Sequence, residues 1–242
     1  MSDSVGSTEA GTTPLQRERP ARTAVAVPRL LAPSLRVGVA AFAVFVVLGI
    51  VVHQHRTVAF DDAVRAWLVS NSASVGVAFF SFVSTYGSVT PMIVYSAAAL
   101  LILSIRRRSM LPLIGLIPSA AAVLAYLGTK SIVQRTRPSG VGNAFEGTYS
   151  FPSAHATTSS AVCCTIGYLL WRERVVSGSV AMVIATLAPF VIGLSRVYLD
   201  VHWATDVIGG WCLGLAIAAL TAVLYECISR PVADGPVAVN VQ

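Results

Sequence analysis

Residues 73–105 read ASVGVAFFSFVSTYGSVTPMIVYSAAALLILSI, and the number of times this stretch crosses a membrane decides the fold. It is apolar almost throughout, longer than the roughly 17–25 helical residues that span a bilayer, and interrupted by Gly87 and Pro91. Composition says a membrane is the right frame: 55% of the 242 residues are hydrophobic and 12% are charged, against about 25% charged in an average soluble domain. Further apolar stretches lie at 37–53, 111–128, 156–171, 178–194 and 207–225, each close to the length of one span. With 88–105 from the opening stretch they make six.

The placement of Arg and Lys chooses between one span and two in 73–105, because cytoplasmic loops carry the excess of both. With one span there, Arg17, Arg19, Arg22, Arg29, Arg36, Arg106, Arg107, Arg108, Arg172, Arg174 and Arg230 fall on one side, eleven in all. Arg56, Arg65, Lys130, Arg135, Arg137 and Arg196, six in all, fall on the other. A second span there would change the split to nine against eight and erase the bias. The expectation is therefore an all-α bundle of six transmembrane helices with both termini cytoplasmic, and with 74–86 a short helix leading into the second span. The six spans use up the apolar content and define one membrane domain over 34–228. It is flanked by a polar, flexible cytoplasmic tail at 1–33 and a short cytoplasmic tail at 229–242. The first span follows a long polar tail and lacks an A-x-A site, so it reads as a retained anchor rather than a cleaved signal.

The net charge of +6 does not point to nucleic acid, because the basic residues sit between spans and form no single patch. Cys163, Cys164, Cys212 and Cys227 lie in or at the end of apolar spans without CxxC spacing, and read as buried small hydrophobes. Between the first two spans, Phe60, Val64, Trp67 and Leu68 recur at helical spacing among Asp61, Asp62 and Arg65. That pattern suits either an amphipathic helix lying in the interface or an ordinary connecting helix.

Six spans place the loop 129–155 and the segment 196–206 on the same, outer, side. The loop is the longest polar stretch between spans and contains Gly140, Gly142 and Gly147. The only lysine, Lys130, follows the third span with Arg135 and Arg137, and Arg196 ends the fifth; together they suit a polyanion, although each alone reads as a flanking cation. Ser153 directly precedes an apolar span, where a Ser N-cap and the free N–H groups of the first turn form a site for an anion such as phosphate. His202 and Asp206 are four apart and share a helical face. A carboxylate that accepts one ring N–H leaves the other nitrogen free and more basic, as a nucleophilic histidine requires.

These residues fall into a pattern. Lys130 to Arg137 and Pro138 match K-x6-R-P; Pro152, Ser153 and His155 match P-S-G-H; Ser195, Arg196, His202 and Asp206 match S-R-x5-H-x3-D. In order and in spacing they resemble the type 2 phosphatidic acid phosphatase (PAP2) superfamily of membrane phosphatases, over roughly 55–225. One departure is Ala154, where the pattern commonly has Gly; a positive φ there would strain an Ala. The resemblance implies that His202 attacks phosphorus to form a phosphohistidine and that Asp206 orients it. Lys130, Arg137, Ser153, the Ala154 N–H and Arg196 hold the phosphate oxygens, and His155 protonates the leaving oxygen. It implies a metal-independent, cofactor-free enzyme in the cell membrane, with its active site on the outer face. After the third span the polar outer segments offer only Glu146, Asp200 and Asp206 as carboxylates, too few for a two-metal site. The substrate is a lipid phosphate or diphosphate, with a polyprenyl diphosphate such as undecaprenyl diphosphate as first choice ahead of phosphatidylglycerol phosphate and phosphatidic acid. The same nucleophile also suits transfer of a phosphoryl or head group between lipids. A non-catalytic phospholipid carrier accounts for the cations but not for the His202–Asp206 pair. No feature of the sequence bears on oligomeric state.

Overall fold

Long uncharged runs of Leu, Val, Ala and Ile leave the backbone polar groups no partners in lipid except one another, and the helix is the local way to satisfy them. The computed structural model describes residues 28–71, 73–138 and 149–229, which form eight α-helices and one short 3₁₀ helix, with no strand among the described residues. The helices are α1 (Pro28–His53), α2 (Val58–Ser70), α3 (Ser74–Tyr86), α4 (Val89–Arg107), α5 (Ile117–Val133), α6 (Ala154–Arg172), α7 (Gly178–Tyr198) and α8 (Ala204–Ile228), with the 3₁₀ turn Leu111–Leu116 leading into α5. Five stretches are long and apolar enough to cross a membrane: Leu31–His53, Val89–Arg107, Leu111–Val133, Gly178–Tyr198 and Ala204–Ile228. The last residues of the segment read as a tail are already helical, since α1 starts at Pro28. Gly140, Gly142, Glu146 and Gly147 lie outside the described residues.

Helix α6 covers the stretch read as the fourth span but is more polar than the other five, because Thr157, Thr158, Ser159 and Ser160 follow one another near its start, all buried. Its neighbours explain this: α6 packs against α8, α7, α5 and α4, so protein rather than lipid sets its composition. The Thr157 hydroxyl donates to the Ser153 carbonyl at 2.9 Å and the Ser160 hydroxyl to the Trp211 carbonyl on α8 at 3.1 Å. Approach this close needs small residues on the facing helix. Gly210, Gly214 and Ala218 recur every fourth residue on α8, and a Cβ at Gly214 would stand 2.5 Å from the Thr157 carbonyl oxygen.

The opening stretch forms two helices that together make one passage along the bundle. At one end the Ala73 N–H donates to the Tyr198 hydroxyl at 3.0 Å, and at the other Arg107 pairs with Glu173 at 3.2 Å. Gly87 ends α3, and Pro91 falls in the first turn of α4, where a missing N–H breaks no helical hydrogen bond. The second end is fastened further by the buried Glu226, which accepts from the Tyr168 hydroxyl at 2.6 Å and pairs with Arg172.

Helix α2 turns Asp61 and Arg65 toward the bundle and leaves Asp62 exposed. Phe60 and Trp67 are exposed, as on an interfacial helix, whereas Asp61 is buried and Arg65 makes a two-pronged ion pair with Asp200 at 2.7 and 2.8 Å. A further difference from expectation is Cys227, which stands exposed in the last turn of α8; Cys163 is buried, and Cys164 and Cys212 are partly buried.

Candidate active site

Four helix ends meet at one end of the bundle: the last turns of α5 and α7 and the first turns of α6 and α8. Gln134 stops α5 by adopting a left-handed conformation (φ 50°), its N–H bonding the Lys130 carbonyl at 3.0 Å. The chain beyond is stitched to its neighbours through the backbone. The Ser150 N–H donates to the Arg135 carbonyl at 2.7 Å and the Ser153 N–H to the Asp206 carbonyl at 3.0 Å. Lys130 is buried in the last turn of α5, its ammonium donating to the Tyr149 carbonyl.

His202 sits in the turn between α7 and α8, 2% exposed. Its Nδ1 lies 3.2 Å from Asp206 Oδ2, and Asp206 also accepts from the Ser150 hydroxyl at 2.7 Å and from the Trp203 N–H at 3.0 Å. That last bond caps α8 and fixes the carboxylate one helical turn from the imidazole. Arg137 Nη1 approaches His202 Nε2 at 3.1 Å and donates to the Val201 carbonyl at 2.8 Å. A guanidinium can only donate, so Nε2 is the accepting nitrogen and the ring proton sits on Nδ1, facing Asp206. Burial lowers the His202 pKa to about 4, assisted by Arg137 and Arg196 and opposed by Asp206. The ring is neutral at pH 7, with its lone pair on Nε2 turned to Arg137.

The remaining residues singled out in the sequence come to the same end. Arg196 is buried in the last turn of α7, with Nη1 donating to the Ser84 hydroxyl on α3, and its carbonyl accepts from the Val201 and His202 N–H groups at 3.1 and 3.2 Å. Ser153 occupies the N-cap position of α6 but makes no capping bond; its buried hydroxyl has no hydrogen-bond partner among the described residues. Ala154 is the first residue of α6 and is absent from the residues with positive φ, so Ala in place of Gly costs no backbone strain. His155, half-buried, follows it in the first turn.

Residues 111–228 match the PAP2 superfamily profile. This segment belongs to the PAP2 superfamily. The chain is 35% identical over 104 residues to phosphatidylglycerophosphatase B of Bacillus subtilis, an alignment covering 42% of this chain and 51% of that protein. It is 34% identical over 73 residues to an undecaprenyl-diphosphatase of Sulfolobus acidocaldarius, covering 30% and 32% respectively. The chain thus spans about half or less of the length of these curated relatives. The crystal structure of a transmembrane PAP2 type phosphatidylglycerolphosphate phosphatase from Bacillus subtilis superposes with a TM-score of 0.70 at 26% identity, covering 80% of this chain and 98% of that one. With its apolar helices and this membrane-embedded PAP2 neighbour, the protein is a multi-pass membrane protein.

Sequence reasoning missed the roles of residues that the three PAP2 motifs do not specify. Arg135 was grouped with the outer cations, yet it lies between two buried carboxylates: Nη1 donates to Asp206 Oδ1 at 2.7 Å and Nη2 to Asp61 Oδ2 at 2.5 Å. Asp61 belongs to α2, ahead of the PAP2 segment. One signal was available. Asp61 and Arg65 are four apart on a helix of a mostly uncharged chain, so they share a face, and that is the face the fold buries. Among the described residues no group of three or more His, Cys, Asp and Glu stands ready to hold a metal ion, and a guanidinium fills the space between Asp61 and Asp206.

Proposed function

We propose that the protein is a metal-independent membrane lipid phosphatase that hydrolyses a lipid phosphate or diphosphate through a phosphohistidine on His202. The observation that carries this reading is the imidazole itself: neutral, buried, its proton turned to Asp206 and its lone pair to Arg137. The guanidinium marks where an anion would stand for attack by Nε2, with Lys130 and Arg196 as further cations at the same end of the bundle. Phosphoryl transfer depends chiefly on positioning and on fixed charge that matches the transition state, which such cations supply without a metal. The unpartnered Ser153 hydroxyl and the backbone N–H of Ala154, at the N-terminus of α6, add neutral donors. His155, in the same turn, protonates the departing lipid oxygen and then activates water.

The arginine asymmetry supports six crossings, cytoplasmic termini and a site on the outer face of the cell membrane. A polyprenyl diphosphate is the first-choice substrate, given an outward-facing site and the name of the Sulfolobus relative; the name of the Bacillus relative makes phosphatidylglycerol phosphate the comparison. The test is phosphate release by purified protein from a panel of undecaprenyl diphosphate, phosphatidylglycerol phosphate and phosphatidic acid in excess EDTA. The diphosphate should give the highest kcat/KM. Activity lost in EDTA and restored by a divalent metal would refute the metal-free site, and a monoester turned over best would refute the substrate choice.

A further inference from the structure

Nothing in the proposed reaction uses Asp61 or Arg135, yet both belong to one charged chain that ends on His202. Asp61 is 1% exposed, and both its oxygens accept from groups of the bundle. Oδ1 accepts the Thr205 N–H at 3.0 Å, while Oδ2 accepts the Thr205 hydroxyl at 2.7 Å and Arg135 Nη2 at 2.5 Å. Arg135 also donates to the Thr205 hydroxyl and to Asp206 Oδ1, both at 2.7 Å, contacts the Thr57 hydroxyl at 3.4 Å, and lies 5.3 Å over the Trp203 ring. The order is Asp61, Arg135, Asp206, His202, with alternating charge up to the imidazole. His53, His55 and Asp62 line the adjoining cavity of about 230 Å³ together with Asp61 and Arg135. On the other side, His202 faces Arg137 and Arg196.

The chemistry gives this order a consequence. When the Nε2 lone pair forms the N–P bond and the lipid oxygen leaves with its bonding electrons and a proton from His155, the ring keeps its Nδ1 proton and becomes cationic. It then needs a net negative neighbour. Asp206 paired with Arg135 alone sums to zero, whereas Asp61 cancels Arg135 and leaves the Asp206 charge for the imidazolium. When water displaces the histidine, the N–P electron pair returns to Nε2 and the demand disappears. We propose that Asp61, acting through Arg135, is a positioning residue that sets the charge Asp206 presents to His202, so that α2 is part of the phosphoryl-transfer machinery. This rests on the reading of His202 as nucleophile.

The test is Asp61→Asn in the purified full chain, with rapid-quench labelling by a radioactive substrate, alkaline trapping of phosphohistidine, and a pH profile. Phosphohistidine formation should slow about ten-fold, the scale of one pKa unit of lost interaction, with KM held within about two-fold because no phosphate ligand is altered. Loss of a negative charge beyond Asp206 destabilises protonated His202, so the acid limb of kcat/KM should move down by about one pH unit. The double variant Asp61→Asn with Arg135→Gln removes both charges together; its acid limb should return to the wild-type position and part of the rate should recover. Asp61→Glu keeps the charge and serves if the Asn variant folds poorly; its limb should stay at the wild-type pH. A limb unmoved in Asp61→Asn, or unmoved in the double variant relative to Asp61→Asn, would assign Asp61 a purely structural role and overturn the inference. Wild-type protein that turns over substrate without ever trapping phosphohistidine would instead refute the parent reading, whatever Asp61 does.

Discussion

Burial sets the protonation state of His202 before any substrate arrives. His202 has no water to stabilise a charge, so its pKa drops to about 4 and it stays an unprotonated nucleophile well below the ordinary histidine range. A base whose folded pKa is lowered titrates late as pH falls. The acid limb of kcat/KM that belongs to His202 should therefore lie nearer pH 4 than the usual value of about 6.5. Arg137 is one of the groups holding it down, so Arg137→Gln should move the limb upward while also slowing turnover; a limb that moves down would contradict the contact. The histidines should also fail differently. In His202→Ala no atom accepts phosphorus, and neither phosphohistidine nor product should form from any substrate. In His155→Ala the nucleophile survives, and a lipid monoester should lose about 10²–10⁴-fold, the worth of general acid catalysis. A diphosphate, with its better leaving group, should lose less, and product release from both classes of substrate measures the difference. At this scale spacing and motifs picked out residues that the fold brings to one end of the bundle: His202 with Asp206 at helical spacing, Ser153 before a span, and Lys130 and Arg137. For Asp61 the sequence offered only the shared helical face with Arg65; the partner Thr205 is 144 positions away, and no spacing rule acts over that distance.

Among the elements, the apolar runs named every long helix, the enclosed and more polar α6 by the weakest signal. Hydropathy reports what a helix faces, and α6 faces protein, so its Thr and Ser residues weaken the signal without weakening the helix. The charges of α2 were visible, but their direction was not: in an amphipathic helix at a membrane surface the polar face meets water, whereas here Asp61 and Arg65 are drawn inward by Arg135, Thr205 and Asp200. What holds the site ends of α6 and α8 together is the glycine face of α8, and that can be tested apart from chemistry. Gly214→Val should cost about 1–3 kcal/mol by overpacking against Thr157 and Ser160, lowering the melting temperature in detergent by about 2–4 °C for each kcal/mol. Gly128→Ala, on α5 with nothing within 4 Å of the added Cβ, should leave the temperature unchanged or raise it, by up to about 1 kcal/mol of helix propensity. Equal melting temperatures for the two variants would show that the α6–α8 contact is looser than the structure has it.

For the whole molecule, the two ends of the bundle differ in their charge chemistry, and this ties the fold to the source of substrate. The end holding His202 gathers Lys130, Arg135, Arg137 and Arg196, of which Lys130 and Arg196 are buried. The other end carries Arg106, Arg107, Arg108, Arg172 and Arg174, of which Arg107 and Arg172 are held by Glu173 and Glu226. Arginines concentrated beside span ends mark the cytoplasmic side, because they resist translocation during insertion. On the proposed orientation the candidate site opens to the outer leaflet, and a lipid phosphate substrate would present its head group there. Native cysteines make the check direct, since Cys227 is exposed at the arginine-rich end while Asn71, between α2 and α3, is exposed at the other. In intact cells a membrane-impermeant maleimide should label Asn71→Cys and leave both Cys227 and Arg108→Cys untouched until the membrane is permeabilised. If Cys227 and Arg108→Cys react from outside while Asn71→Cys does not, the orientation is reversed, the site faces the cytoplasm, and a lipid made on the inner leaflet becomes the substrate to test.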